Sequence, residues 1–292
     1  MAATEGPAAV AADGAARRDR AATWIGLLAV AGLAWAYLWV DAARMAGMDM
    51  AGMDGMNMGQ GMGQGMGQGM SMGPGMAMTS PSPSPWRPEA LAATFVMWAI
   101  MMVGMMLPSA LPAISLYGTM VRKHRERGSA LPSVWLFAAG YLAVWTGFSL
   151  LAALLQAGLE QAMLLSPMMV STSPWLSGGL LVLAGVYQWL PVKEACLAKC
   201  RAPLQFFLTR WRAGPAGAVR MGAEHGAFCV GCCWALMLLL FTAGVMNLLW
   251  VAVIAGFVLV EKVLGAQPWA GRWIARAAGV ALVVAGVAVM AA

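Results

Sequence analysis

The chain has 292 residues, of which 61% are hydrophobic and only 10% are charged. A soluble domain carries about a quarter charged residues and about half apolar ones, so the composition excludes an ordinary soluble protein and indicates a polytopic membrane protein. The basic residues that give the net charge of +6 are distributed as membrane topology requires. The lipid bilayer is therefore the expected partner, and nucleic acid is not.

Seven apolar stretches approach or exceed the ~20 residues that cross a bilayer as a helix. They are residues 22–40, 89–117, 131–155, 175–191, 222–243, 246–263 and 273–291. The predicted fold class is all-α, a transmembrane helix bundle of about seven spans with a cytoplasmic N-terminus and an outer C-terminus. In this orientation every Lys and Arg except Arg44 and Arg87 is cytoplasmic, as the positive-inside rule requires. We expect a multi-pass protein of the bacterial inner (plasma) membrane.

The N-terminal third divides by composition into three parts. Residues 1–21 form a basic cytoplasmic tail, and residues 22–40 form an anchor whose apolar part exceeds the 7–15 residues of a secretory signal. A retained anchor is therefore favoured over a cleaved one. Residues 41–88 form an outer loop, predicted to be disordered, which ends in a stiff Pro/Ser spacer. Residues 89–292 form the six-span membrane core.

The outer loop is unusual in its methionines, which number 12 of the 26 in the chain. They alternate with Gly, Asp, Asn and Gln, and Met48, Met50, Met53, Met56 and Met58 are the first candidates for binding. A low-complexity linker is one interpretation. Thioether sulfur, however, is a soft ligand that suits Cu(I), and it resists the oxidising conditions outside the cytoplasm better than thiols do. Copper capture is therefore the favoured interpretation.

The second predicted span contains a further methionine pattern. Met97, Met101 and Met105 recur every fourth residue and lie on one helical face, and Met102 and Met106 form a parallel row. Pro108 and Pro112 are expected to kink this helix and free backbone carbonyls that neighbouring helices must satisfy. Ordinary packing and a sulfur-lined metal path are both open interpretations of the methionines.

All five cysteines fall at the predicted cytoplasmic face, together with one of the two histidines. Cys196 and Cys200 follow the fourth span one helical turn apart. At 100° per residue, Cys229, Cys232 and Cys233 lie at about +40°, −20° and +80° from His225, so these four side chains share one face.

The two cysteine groups can meet because both adjoin cytoplasmic ends of spans. Nearby Lys193, Lys199, Arg201 and Arg220 favour the thiolate form that binds metal. A buried cysteine is commonly just a small apolar residue, but five clustered with a histidine favour a metal site. Soft thiolates suit Cu(I) or Zn(II); Cu(I) is favoured because it also explains the outer methionines.

Isolated polar and small residues give weaker predictions. Glu261 and Lys262 are interpreted as an interfacial ion pair or anchor. Asn247 is expected to cap the helix that follows it. Gly279 and Gly286 are predicted helix-packing positions.

The chain resembles a bacterial family of predicted metal-binding integral membrane proteins, described as a domain of unknown function and sometimes labelled copper chaperones. The matching segments are "MMVGMMLPSALP", "KEACLAKCRAP", "WRAGPAGA", "EHGAFCVGCCWALM" and "MNLLW…EK", within about residues 90 to 290. The resemblance implies the six-span core and a metal-binding role for Cys196, Cys200, His225, Cys229, Cys232 and Cys233. The long methionine-rich loop is not part of the family pattern.

The predicted function is copper handling rather than catalysis, with Cu(I) collected by the outer methionines and held at the cytoplasmic Cys/His site. A copper-acceptor protein or a cuproenzyme assembly step would then receive it. The chain has no phosphate-binding GxxxxGK[ST] loop, which disfavours an ATP-driven pump. One alternative is a membrane thiol oxidoreductase using Cys232/Cys233 or Cys196/Cys200. The other is an accessory subunit of a membrane metalloenzyme complex with a structural metal site, and Hg(II) is a chemically related cargo.

Overall fold

A computed structural model of the protein describes residues 7–54, 85–125, 134–165, 171–263 and 268–292. Over these ranges the chain is helical and contains no β-strand, only an isolated bridge between Leu165 and Ser171. The helices are α1 (Pro7–Asp54), α2 (Pro88–Arg125), α3 (Val134–Gln161), α4 (Pro174–Tyr187), α5 (Pro191–Arg201), α6 (Pro203–Arg210), α7 (Gly214–Leu238), α8 (Leu240–Ala243), α9 (Leu248–Val263) and α10 (Pro268–Ala291). The predicted all-α class is confirmed.

Five helical segments are long and apolar enough to cross a membrane. They are Ala21–Arg44, Pro88–Arg122, Val134–Gln161, Gly214–Ala243 and Gly271–Ala291. A sixth is present if α4 and α5, which meet at a bend of 65°, count as one broken span. These helices indicate a membrane protein.

The count of seven spans and the orientation of the termini stay predictions. The predicted span at residues 246–263 corresponds to α9, which has 16 residues. Its length is about 24 Å, shorter than the ~30 Å hydrocarbon core of a bilayer. At the N-terminus, α1 begins within the predicted tail and continues to Asp54, inside the segment predicted as an outer loop.

Proline lies at the start of several helices near the site. Pro174 follows the N-cap Ser173, whose hydroxyl accepts from the Leu176 amide. Pro191 and Pro203 occupy the first turns of α5 and α6, where a missing amide hydrogen costs nothing. Asn247 caps α9 by accepting from the Trp250 amide at 3.2 Å, which confirms its predicted role.

Helix α2 runs through Pro108 and Pro112 without ending. Pro108 has no amide to donate to the carbonyl of Gly104, four residues earlier. The indole Nε1 of Trp35, on α1, donates to that carbonyl at 3.2 Å. The expectation that a neighbouring helix satisfies a carbonyl freed by proline is confirmed here.

The core lies where α2, α3 and α7 pack together, with α1 against the outside of α2 and α10 against α4. Glycines set the spacing of the α4–α10 pair. A Cβ atom on Gly286 would lie 2.7 Å from the Gly178 carbonyl oxygen, and one on Gly279 would lie 2.9 Å from that of Gly185. The predicted packing role of Gly279 and Gly286 is confirmed.

Candidate metal centre

Close packing of α3 against α7 fixes the position of the centre. A Cβ atom on Gly222 would lie 2.0 Å from the Phe137 carbonyl oxygen, and one on Gly140 would lie 2.1 Å from that of Val219. Only glycine permits this separation, and small residues at helix interfaces are the usual means of close approach in membranes. The contact brings Tyr141 of α3 beside Cys229 of α7.

Cys229 is the hub of the centre and is 1% exposed. Its sulfur lies 3.1 Å from the Tyr141 hydroxyl oxygen and accepts from the Lys262 ammonium of α9 at 3.0 Å. It also interacts with the thiols of Cys200, Cys232 and Cys233. The Cys229 sulfur thus accepts a hydrogen bond from a cation, which is the environment that stabilises a thiolate.

The thiols of Cys232 and Cys233 point back along α7. Each donates to the Cys229 carbonyl oxygen, at 3.1 and 3.0 Å. The Cys233 sulfur also lies 4.0 Å from the thioether sulfur of Met106 on α2. The methionine face of α2 and the cysteines of α7 therefore meet at this contact.

The α5 cysteines approach α7 from another side and are half-buried. Cys200 interacts with the thiols of Cys229 and Cys232. Cys196 packs against Gly231, where an added Cβ would lie 2.8 Å from the Cys196 sulfur. The Tyr187 hydroxyl donates to the Gly231 carbonyl, which ties the end of α4 to the same point of α7.

His225 lies one turn before Cys229 and is buried, at 3% exposed. The rings of Phe206, Phe137 and Tyr141 lie 5.6, 6.0 and 6.0 Å from its imidazole, centroid to centroid. Among the described residues nothing hydrogen-bonds to its Nδ1. The unpaired nitrogen is surrounded by aromatic rings and is available as a metal ligand. His225 is adjacent to the thiol cluster and not part of it.

Two polar residues at the end of α9 were misread from the sequence. Glu261 and Lys262 are both buried and each has another partner, so an ion pair between the two is wrong, while their position relative to the membrane interface stays a prediction. Lys262 donates to Cys229 and, at 2.8 Å, to the Ser109 hydroxyl of α2, whereas Glu261 pairs with Lys193 of α5. Lys262 therefore contacts a thiol, whereas Lys193, which was expected to act on the thiols, pairs with Glu261.

Nothing in the sequence pattern marks Tyr141 or Ser109 as neighbours of the thiols. A tyrosine within an apolar span and a serine between two prolines are common in membrane helices. A charged residue inside a span is the stronger signal, because it is a functional candidate by default. Lys262 could have been found by that reasoning.

The second-span methionines are all buried, which both interpretations of them require. Met97, Met101, Met102, Met105 and Met106 are at most 5% exposed. Of these five, Met106 contacts a thiol, that of Cys233. Met48, Met50 and Met53 lie in the last turns of α1, where side chains are not described, and Met56 and Met58 lie outside the described residues.

The donor set fits a soft metal ion better than a hard one, since it consists of thiols, a thioether and an imidazole. Within the described ranges, no three His, Cys, Asp or Glu side chains converge closely enough to hold a metal. The thiols of Cys232 and Cys233 both donate to the Cys229 carbonyl oxygen.

Apolar helices around a buried thiol cluster define a helical membrane protein with a candidate soft-metal centre. A family model described as copper chaperone (PpoB2) matches residues 95–289, and the chain belongs to this family. The resemblance inferred from the motifs is thereby confirmed, and the membership supports a copper-related role. No curated protein matches the chain, and no solved structure matches it.

Proposed function

We propose that the protein is a copper-handling membrane protein that holds Cu(I) at the thiols around Cys229 and passes it to an acceptor protein. Family membership supports the copper role. The observation that carries the path is the contact between the Met106 thioether and the Cys233 thiol, 4.0 Å apart. It joins a buried row of methionines to the cysteine cluster.

Ligand exchange between soft donors supplies a mechanism that needs no other chemistry. Cu(I) arriving at Met106 exchanges a thioether for the Cys233 thiolate, and Cys229 supplies the second sulfur. Cys233 loses its proton in this step, so one proton leaves as one copper enters. Two thiolates, one Cu(I) and the Lys262 ammonium sum to zero charge, which suits a site removed from water.

Two further parts of the proposal depend on sequence chemistry. The methionines of residues 45–78 collect Cu(I) outside the bacterial inner membrane, and the thiol centre lies toward the cytoplasm, where thiols stay reduced. A cytoplasmic copper acceptor or a cuproenzyme assembly factor would receive the ion. His225, with its unpaired Nδ1, is the candidate ligand for that exit.

The test is the metal content of purified protein by mass spectrometry after anaerobic loading with Cu(I) or Zn(II). The variants are Cys229→Ser, Met106→Leu and a deletion of residues 45–78. Met163→Leu is the matched control, because Met163 is exposed and lies outside the methionine row. We expect copper to be lost in Cys229→Ser, reduced in Met106→Leu and in the deletion at limiting copper, and unchanged in the control.

Three results would contradict the proposal in different ways. Copper retained at full occupancy in Cys229→Ser would remove the thiol centre as the site. Zinc alone, indifferent to the deletion, would indicate a structural metal in an accessory subunit. Absence of any stoichiometric metal would favour the thiol oxidoreductase.

A further inference from the structure

A buried ion pair joins α5 to α9 at the level of the thiol centre. The Lys193 ammonium donates to both carboxylate oxygens of Glu261 at 2.7 Å, and each side chain is 2% exposed. The same ammonium donates to the side-chain oxygen of Gln188, at the bend between α4 and α5. Lys193 is in the first turn of α5, and Glu261 is in the last turn of α9.

The other end of α5 is held by the same residue of α9. Arg201, the last residue of α5, donates from Nε to the Glu261 backbone carbonyl at 3.0 Å. Its Nη1 donates to Glu194 of the same helix at 3.1 Å; the Arg201 side chain is 7% exposed and that of Glu194 is 49% exposed. The two cysteines of α5, Cys196 and Cys200, lie between these two attachments.

The next residue of α9 connects the attachment to the hub. Lys262 donates to the Cys229 sulfur of α7, so two consecutive residues of one helix contact α5 on one side and α7 on the other. Adjacent residues on a helix point about 100° apart, which is how this division arises. Contacts at the end of α9 thus link the position of the α5 thiols to that of the α7 thiols.

Stability alone does not account for the Lys193–Glu261 pair. Burying two charges costs about as much as their attraction returns, and apolar replacements of such pairs are often neutral or stabilising. Charged groups inside membrane proteins accordingly mark functional positions. The pair is, however, a directional contact, and such a contact can hold α5 at a defined position against α9.

We propose that Lys193 and Glu261 are positioning residues that hold Cys200 of α5 against Cys229 of α7, so that a metal ion is shared between two helices. The identity of that ion as Cu(I) rests on the proposed function; the positioning does not. Loss of the ion pair lets α5 move away and separates the two sulfurs. It also weakens metal binding without removing any ligand.

The test measures the apposition of the two thiols in metal-free protein. In a background with Cys196, Cys232 and Cys233 replaced by Ser, diamide oxidises the two remaining thiols to a disulfide, itself taking up two electrons and two protons. The rate is followed by mass spectrometry. Lys193→Met combined with Glu261→Gln removes the pair without leaving a lone buried charge, which a single substitution would do.

The control is Glu89→Gln, which breaks the exposed Arg87–Glu89 ion pair at the start of α2, a helix other than α5. We expect the double variant to form the disulfide about tenfold more slowly, as the loss of ~1.4 kcal/mol of apposition would give, and the control to match the parent. Thermal unfolding of both variants establishes that they are folded. Lys193→Glu with Glu261→Lys, which restores a pair in reverse, should recover much of the rate.

The outcomes separate this inference from the proposed function. An unchanged rate in the double variant, or a parent that forms no disulfide, would overturn the positioning role even if all five cysteines together bind copper. A slowed rate in a protein whose unsubstituted form binds no Cu(I) would support the positioning role and refute the copper function. A slowed rate together with weaker Cu(I) binding in the otherwise unsubstituted chain would support both.

Discussion

Substituting Gly231 with Ala should disturb the contact between α5 and α7 at one defined atom. The added Cβ would lie 2.8 Å from the Cys196 sulfur, whereas ordinary contacts begin at 3.4 Å. The sulfur must therefore retreat by about 0.6 Å, either by rotation about χ1 or by a shift of α5. In both cases the Cys196 thiol turns away from α7.

The expected magnitude is the difference of two opposing effects. Overpacking costs ~1–3 kcal/mol, and replacing Gly by Ala within a helix returns up to ~1 kcal/mol. If the full ~1 kcal/mol is returned, the net loss in the free energy of unfolding is ~0–2 kcal/mol. At ~2.1 cal/mol/K of unfolding entropy per residue, this is a decrease in Tm of up to about 3 °C for the 292-residue chain. Gly147→Ala is the control, because nothing lies within 4 Å of its added Cβ, and it should be neutral or stabilising.

A double-mutant cycle isolates the clash. Cys196→Ala removes the clashing sulfur, so Gly231→Ala should cost less in that background, with a coupling energy of ~1 kcal/mol or more. The assays are thermal unfolding in detergent and the rate of maleimide labelling of Cys196, with the other cysteines changed to Ser. Additive effects within ~0.5 kcal/mol, together with an unchanged labelling rate, would refute the described packing of α5 on α7.

Three further predictions concern other contacts. Trp35→Phe removes the donor to the Gly104 carbonyl and should lower the free energy of unfolding by ~1–2 kcal/mol. In a Pro108→Ala background the alanine amide can donate to the same carbonyl, so Trp35→Phe should cost less there. An equal loss in both backgrounds would contradict this account. Gly286→Val should separate α10 from α4, seen as loss of cross-linking between cysteines introduced on the two helices; retained cross-linking would show that the glycine contact is not required. Tyr141→Phe removes the hydroxyl beside Cys229 and should weaken Cu(I) binding about fivefold, or ~1 kcal/mol, in competition with a chelator; unchanged affinity would exclude the hydroxyl from the site.

Helical periodicity was sufficient to predict which residues face inward. Cys229, Cys232 and Cys233 were placed on one face with His225, and all four are buried. A shared face does not imply convergence, however. His225 is four residues from Cys229, or about 6 Å along the axis, and at that height its neighbours are aromatic rings.

Contacts between segments that are distant along the chain could not be predicted from the sequence. The pattern "VEKVLG" ends an apolar run, and such residues usually lie at an interface. The position of Lys262 depends on the shortness of α9 and on its packing against α2 and α7, which no local pattern encodes. Likewise, the bend after Tyr187 was not predicted because residues 175–191 are mostly apolar and were interpreted as one continuous span, so the direction of α5 could not be inferred.

Helices α4 and α9 are apolar but short for the membrane spans that the sequence predicts. With 14 and 16 residues, they measure about 21 and 24 Å, and both end near the Lys193–Glu261 pair. A bilayer adapts to short hydrophobic segments by becoming thinner around them. The surrounding membrane should therefore be thinnest close to the thiol centre, and we expect the rate of metal exchange to depend on the acyl-chain length of the lipids in which the protein is reconstituted.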